Sequence, residues 1–398
     1  MRLTPRVSHA AIAIGGAATV FGALPVMLTG ALAPELSVAL SFGVAGLGTA
    51  IAIQNGVGIL AAIPLGHVVD RLGATRSVRL AMLMIGLLAV LIGSVARSFS
   101  MLVLLLSLGS IAQRLIEPAS NRLLINNVGP RRLGLAFGLK QSAVPAAVML
   151  AGLSVPVVAA VWGWQGAFLL TGLLALTLAG TVHRRPRSTP SPATHRPSSS
   201  PSSAPHPAPP TRQVLIILSV AFGFANAASV TVPVFYVSSA VASGTTPGVA
   251  GAMLATASVT AIVARLLLGV VTDRIVHGHL LVCGVMLASG AVGFALLATG
   301  QATLVIIGVL LALGGAWGFS GMFWFTLVRA NPTAPGEITG KIVPGALIAN
   351  SISPLIFGVV ADRYSYRLGW ALAAIMALLA AAGMYVGDRR MTRPTDAI

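Results

Sequence analysis

The sequence predicts an all-α membrane protein with twelve transmembrane helices in two sets of six. Three observations lead there. The 398 residues are 56% hydrophobic and only 8% charged, with a mean hydropathy of +0.92, whereas a soluble domain carries roughly 25% charged residues. The apolar residues fall into runs of about 20, the length that crosses a hydrocarbon core. A Pro/Ser-rich stretch, 183–212, has no apolar run and divides the others into two groups.

Charges, Gly/Pro clusters and polar turns mark the ends of each span. The first span covers 8–30. The preceding Met1-Arg2-Leu3-Thr4-Pro5-Arg6 and the triplet Ala31-Leu32-Ala33 imitate a signal peptide and its cleavage site. Pro34 follows directly, however, and the run is too long for a signal segment, so the span is read as retained. The second span, 40–65, stops at a charged island, Gly66-His67-Val68-Val69-Asp70-Arg71-Leu72-Gly73-Ala74-Thr75-Arg76. Spans at 79–96, 101–127, 136–160 and 165–182 complete the first group. Residues 183–212 hold five arginines and no acid. Such a segment buries too little apolar surface to fold and is expected to be an extended cytosolic tether. The alternative role is an arm that binds anionic lipid. The second group spans 213–240, 247–270, 279–299, 302–328, 340–361 and 368–387. The expected units are therefore a bundle over 1–182, a linker over 183–212 and a bundle with a short tail over 213–398.

Orientation follows from Lys and Arg. With both termini in the cytosol, the outer loops hold only Arg97, Arg363 and Arg367, the spans hold Arg114, Arg122, Lys140 and Arg265, and all others lie inside. The net charge of +17 is thus a topological signal and not a nucleic-acid surface. The lone Cys283 excludes a disulfide framework and a cysteine metal site. The seven histidines, His9, His67, His183, His195, His206, His277 and His279, fall in loops, inner helix ends or the linker. No proton relay or metal site is expected from them. Phosphate-binding loops and nucleophile elbows are absent from the sequence, so neither direct ATP drive nor an enzyme is expected, and no cofactor.

The island Gly66-x-x-x-Asp70-Arg71-x-Gly73 with Arg76 beyond it is followed, about half the chain later, by Gly269-Val270-Val271-Thr272-Asp273-Arg274. This pattern resembles the loop between helices 2 and 3 of the major facilitator superfamily, and the echo resembles its repeat after helix 8. Thr75 stands where the family has a first basic residue, and Val276 where the second copy would have its second glycine. The resemblance implies two pseudo-symmetric six-helix bundles that rock about a central site. It also implies a gating role for Gly66, Asp70, Arg71, Gly73, Arg76, Gly269, Asp273 and Arg274. A third Gly-x-x-x-Asp-Arg, Gly358 to Arg363, falls on the predicted outer face and is not counted with the other two. The stretch Gly138-Leu139-Lys140-Gln141-Ser142, with Gly163-Trp164-Gln165 later, resembles a bacterial subgroup of the superfamily. Ala151-Gly152-Leu153-Ser154-Val155-Pro156 does not fit the helix-5 signature of the drug/proton antiporters.

Helix 4 carries Arg114 and Glu117 near mid-span. Each charge there costs about 2.5–3.5 kcal/mol on insertion scales, so both are expected to face the bundle interior. Three positions apart, they are neighbours on one face, and an ion pair between them is expected. Pro118 leaves the carbonyl of Arg114 without its helical donor. Arg122 is expected to snorkel to the inner surface. Lys140 is assigned to the inner gate rather than to a ligand. Arg265 lies about 12 Å along the helix from Asp273, too far for a pair, so a partner on another helix is expected. Asn55, Asn226, Trp317 and Asn350 add polar positions at mid-span. Each alone reads first as a helix-packing hydrogen bond rather than a ligand contact, and together they suggest an amphipathic cavity. The expected substrate-binding set is Arg114, Glu117, Asn55, Asn226, Arg265, Trp317 and Asn350.

The excess of basic over acidic groups in the spans points to a secondary transporter of a small organic anion in the cytoplasmic membrane. It is expected to act as a monomer in the lipid bilayer, with protons as the coupling ion if Glu117 titrates. Efflux of drug-like or cationic compounds by proton antiport is the alternative. A membrane sensor of the same fold is the non-transport reading.

Overall fold

The computed structural model describes residues 9–128, 139–182, 210–275, 277–330 and 335–392. Most of the expected linker lies outside the described residues. The elements are α1 (His9–Ala31), α2 (Ala33–Leu40), α3 (Val44–Leu72), α4 (Ala74–Val95), α5 (Phe99–Asn127), α6 (Ala143–Ser154) and α7 (Ala160–Val182). After the linker come α8 (Arg212–Ala242), α9 (Pro247–Arg274), α10 (His279–Thr299), α11 (Ala302–Gly318), α12 (Ser320–Ala330), α13 (Pro335–Arg363) and α14 (Tyr366–Thr392).

Local chemistry sets the breaks. The Ser98 hydroxyl accepts from the Met101 N–H at 3.3 Å to start α5, and the Thr211 hydroxyl accepts from Val214 at 3.4 Å to start α8. Ser41, left-handed at φ 53, ends the short α2, which the apolar pattern does not reveal because it lies between two spans. Eleven stretches among the described residues are long and apolar enough to cross a membrane. One of them, Leu139–Val182, has 44 residues. At 1.5 Å per residue it is roughly 66 Å long, about twice a hydrocarbon core of ~30 Å. It is interrupted by a π-helical turn at Val155–Ala159, where Pro156 has no N–H to give, and by Gly163 at φ 64. Only glycine takes that φ without strain.

The island at 66–76 differs from the loop that the sequence pattern suggests. Asp70 and Arg71 belong to the last turn of α3, and the chain reverses at Gly73, φ 79. Charged residues beyond the hydrocarbon meet water, and so the helix continues past its apolar segment.

Equivalent helices of the two groups pack in equivalent ways. In the first group α1 lies on α5 and α6, α3 on α5, and α4 on α7. In the second α8 lies on α11 and α13, α9 on α11, and α10 on α14. The groups meet where α3 packs on α13, α6 on α9, and α1 on α8. These meetings use small residues. A Cβ on Gly358 would stand 2.8 Å from the Val44 carbonyl, Gly48 faces the Pro354 carbonyl, and Gly30 faces the Pro233 carbonyl. Backbones approach this closely only without side chains between them. An aromatic stack consolidates the same end: Phe235 on Phe357 at 4.4 Å, and Phe357 against Trp370 at 4.8 Å. This end carries the 41–44, 243–246 and 363–366 turns, opposite the Asp70 island.

Candidate functional site

A cavity of about 370 Å³ lies between the two groups of helices. α3 presents Gln54 and Asn55, and α5 presents Gln113, Arg114 and Glu117. Gln141 stands just before α6. From the second group come Phe222 and Asn226 of α8, Arg265 of α9, Trp317 of α11 and Asn350 of α13. The break between α11 and α12 adds Phe319, and α12 adds Ser320 and Trp324. All seven residues of the expected substrate-binding set therefore line one cavity. α5 brings Arg114 and Glu117 there because 113, 114 and 117 share a helical face, while Leu115, Ile116 and Ala119 are buried in the packing against neighbours.

Arg114 is half-buried, and its Nε is a buried donor with no hydrogen-bond partner. Gly58 makes room for it: a Cβ there would stand 3.0 Å from that Nε. The expected Arg114–Glu117 ion pair does not form. Glu117 instead accepts from Lys140 Nζ at 3.1 Å, and the same ammonium donates to Asn121 Oδ1. The Lys140 side chain is 2% exposed, while that of Glu117 is 63% exposed toward the cavity. The reason is geometric. Lys140 comes in just before α6, and a buried ammonium needs acceptors out of water, which Glu117 Oε1 and Asn121 Oδ1 supply. Lys140 thus lies beneath the cavity wall, as the partner of one of its residues.

Arg265 spans the two groups. Its Nε donates to the Trp317 carbonyl at 3.0 Å, another guanidinium nitrogen donates to the Gln141 carbonyl, and the Trp317 ring lies 5.8 Å from its Cζ. Its partners are carbonyls and a ring face, so its charge is solvated but not neutralised. The indole N–H of Trp317 is committed to the Ser229 carbonyl at 2.8 Å. Asn55 donates to the Asn350 carbonyl at 2.9 Å, joining α3 to α13, and Asn226 donates to Phe222 within its own helix at 2.7 Å. Gln54 is buried with Oε1 unpartnered.

Apart from Lys140, which pairs with Glu117 of the cavity wall, the residues expected to gate do not line the cavity. Asp70 accepts from Arg122 at 2.6 Å, so Arg122 closes α5 onto α3 and does not reach only for the surface. Arg71, Arg76, Gly269 and Arg274 are exposed. Gly66 and Asp273 lie near the ends of α3 and α9, with side-chain detail outside the described part. Sequence reasoning missed the aromatic wall of Phe222 and Phe319 and the amides Gln113 and Gln141. Phe222 stacks on Phe323 at 4.6 Å and meets Trp324 edge-on at 5.1 Å. In a chain this apolar, a phenylalanine facing a cavity looks like one facing lipid. Gln113, beside Arg114, was the one legible signal.

The Major Facilitator Superfamily model matches residues 11–343. No curated relative matches the chain in sequence. Among solved structures, a bacterial homolog of the human lysosomal transporter Spinster, inward-facing and occupied, aligns with TM-score 0.77 at 15% identity over 100% of both chains. A D-xylose–proton symporter aligns at 0.75 with 16% identity, over 96% of this chain and 98% of that one. A nucleoside transporter aligns at 0.72 with 14% identity, over 96% of this chain and 100% of that one. With helices long enough to span a bilayer, a polar cavity between two groups of them, and a family match over most of its length, this chain is a multi-pass membrane transporter for a small solute and belongs to the Major Facilitator Superfamily.

Proposed function

We propose that the protein is a secondary active transporter of a small organic anion, working by alternating access in the cytoplasmic membrane with both termini inside. Its units are two six-helix bundles, 1–182 and 213–398, joined by a cytosolic tether, 183–212. Twelve spans follow if the 44-residue stretch crosses twice, turning at Gly163.

The observation that carries the anion reading is Arg114. Among the described residues it makes no salt bridge, its Nε has no partner, and the one carboxylate on the cavity wall, Glu117, is committed to Lys140. Arg265 adds a second guanidinium without a carboxylate. Two guanidinium groups beside a single carboxylate, itself paired with Lys140, leave the cavity with a cationic excess that attracts an anion, and a guanidinium fork matches a carboxylate. A cationic cargo would meet repulsion from both. The facing wall of Phe222, Phe319 and Trp324 suits an apolar or aromatic body on that anion. Proton coupling has Glu117 as its site.

The test is ligand binding to purified protein. Aromatic and aliphatic carboxylates, organic cations and sugars are compared by thermal shift, followed by isotherms on the best ligand. Carboxylates are expected to stabilise the protein, and Arg114→Lys is expected to weaken their binding roughly ten- to a hundredfold, the range of a lost charge-assisted hydrogen bond. Stabilisation by cations alone would reverse the reading.

A further inference from the structure

The third Gly-x-x-x-Asp-Arg, which the transport reading leaves unassigned, ends α13. α3 ends in the first copy, and the two helices pack on each other. They run in opposite directions, since the end of α13 lies at the start of α3. The Val44 N–H, first in α3, donates to Asp362 Oδ1 at 3.2 Å. Gly43 before it leaves space for the carboxylate: a Cβ there would stand 3.0 Å from Oδ1. Four residues back, Gly358 lies against the Val44 carbonyl and Gly48. A carboxylate at a helix N-terminus meets free N–H groups and the positive end of the helix dipole. Asp70, the corresponding residue of α3, is meanwhile held inside its own half by Arg122.

We infer that Asp362 is an outer-gate residue of the transport cycle. Its carboxylate caps α3 across the interface of the two halves and holds the outer end shut while the cavity faces inward, and the cap must break for the outward-open state. Gly358 and Gly48 provide the close approach that lets the cap form. The inference rests on the transporter reading and its orientation, but not on the identity of the cargo.

The test therefore needs no substrate. Spin labels at Arg97→Cys and Ala242→Cys, on the outer ends of the two halves, are placed in a Cys283→Ser background, and their distance distribution is measured in lipid nanodiscs. Asp362→Ala is expected to raise the long-distance, outward-open population five- to tenfold. A tenfold change corresponds to about 1.4 kcal/mol. Val44→Pro removes the donor N–H at the first helical position, where proline is tolerated. It is expected to give the same shift, and the double variant is expected to add nothing. Asp362→Asn, which keeps an acceptor oxygen but no charge, is expected to fall between. If Asp362→Ala fails to fold, Val44→Pro carries the test alone. An unchanged distribution in Val44→Pro, or additive shifts in the double variant, would overturn the inference. Unchanged gating together with intact anion binding would leave the cargo reading standing.

Discussion

Arg114, Glu117 and Lys140 show how a charge inside a membrane protein is tolerated and what each contact costs to lose. Lys140 is 2% exposed and depends on Glu117 and Asn121, while Glu117 keeps most of its surface toward the cavity. Removing one member of a fully buried pair costs about 3–5 kcal/mol, and the hydrated side of Glu117 lowers this to about 1–2 kcal/mol for Glu117→Gln. The double variant Glu117→Gln with Lys140→Met takes away both charges and is expected to recover most of that loss, as read by chemical denaturation in detergent. A double variant as unstable as the sum of the singles would mean that the pair is not the main support of Lys140. Glu117→Gln is also expected to exchange anion at equilibrium while losing its response to a pH gradient, measured by counterflow against gradient-driven uptake in proteoliposomes. The sequence made both side chains conspicuous, because a charge in an apolar run stands out. It did not identify their partners, because spacing along α5 favours Arg114 as much as a lysine from another segment, and only tertiary packing chooses between them.

At the scale of elements, two carboxylates at helix ends have different energetics. Asp70 and Arg122 join α3 to α5 at 2.6 Å, with side chains 56% and 48% exposed. Pairs this wet contribute about 0–1 kcal/mol to stability. Asp70→Asn is therefore expected to leave thermal stability and ligand affinity close to normal, and the gating role that the family resemblance implies for Asp70 adds the expectation that transport slows several-fold. A normal transport rate in that variant would remove Asp70 from the gate. Glu35, in the first turn of α2, is the opposite case. Burial pushes its carboxyl above the usual carboxylate range, and the Trp164 N–H it accepts from pulls only partly back. A raised carboxyl pKa means that the folded state holds its proton to higher pH than the unfolded chain does. The stability this contributes is present at acid pH and fades as pH rises from the unfolded value through the folded one. Glu35→Gln keeps an acceptor for Trp164 and removes the buried charge. Its stability is expected to match or exceed that of the parent at neutral pH, with a flatter profile just above the normal carboxylate range. A variant that is weaker at neutral pH would show that the charge itself is needed there. α2 was invisible to hydropathy because eight residues are too few to span, whereas every long helix was visible.

For the whole molecule, composition and run length made the fold legible, and the charged islands located its ends. The pseudo-symmetry showed as the repeat of Gly-x-x-x-Asp-Arg at 66–71 and 269–274 and is matched by equivalent helix packing in the two groups. The contacts that join the groups were not legible. They rest on small residues such as Gly48 and Gly358, and a chain with 44 glycines does not signal which few bring backbones together. Orientation is a whole-molecule expectation that rests on charge alone. Lys and Arg crowd the ends that carry the Asp70 island, the linker and both tails, while the opposite ends hold Arg97, Arg363 and Arg367. The cytosolic face retains such residues because they resist transfer across the bilayer. In a Cys283→Ser background, single cysteines at Ser199 and Ser202 are expected to react with an impermeant maleimide only after the membrane is opened. A cysteine at Ser98, in the turn before α5, is expected to react in intact cells. Reversal of both results would invert the protein, turning the Asp70 end outward and making the Asp362 contact a cytosolic one. Labelling of all three from outside would instead mean an even number of crossings between Ser98 and the linker, so that Leu139–Val182 does not cross twice, and a two-bundle carrier with a cytosolic tether would no longer describe the chain.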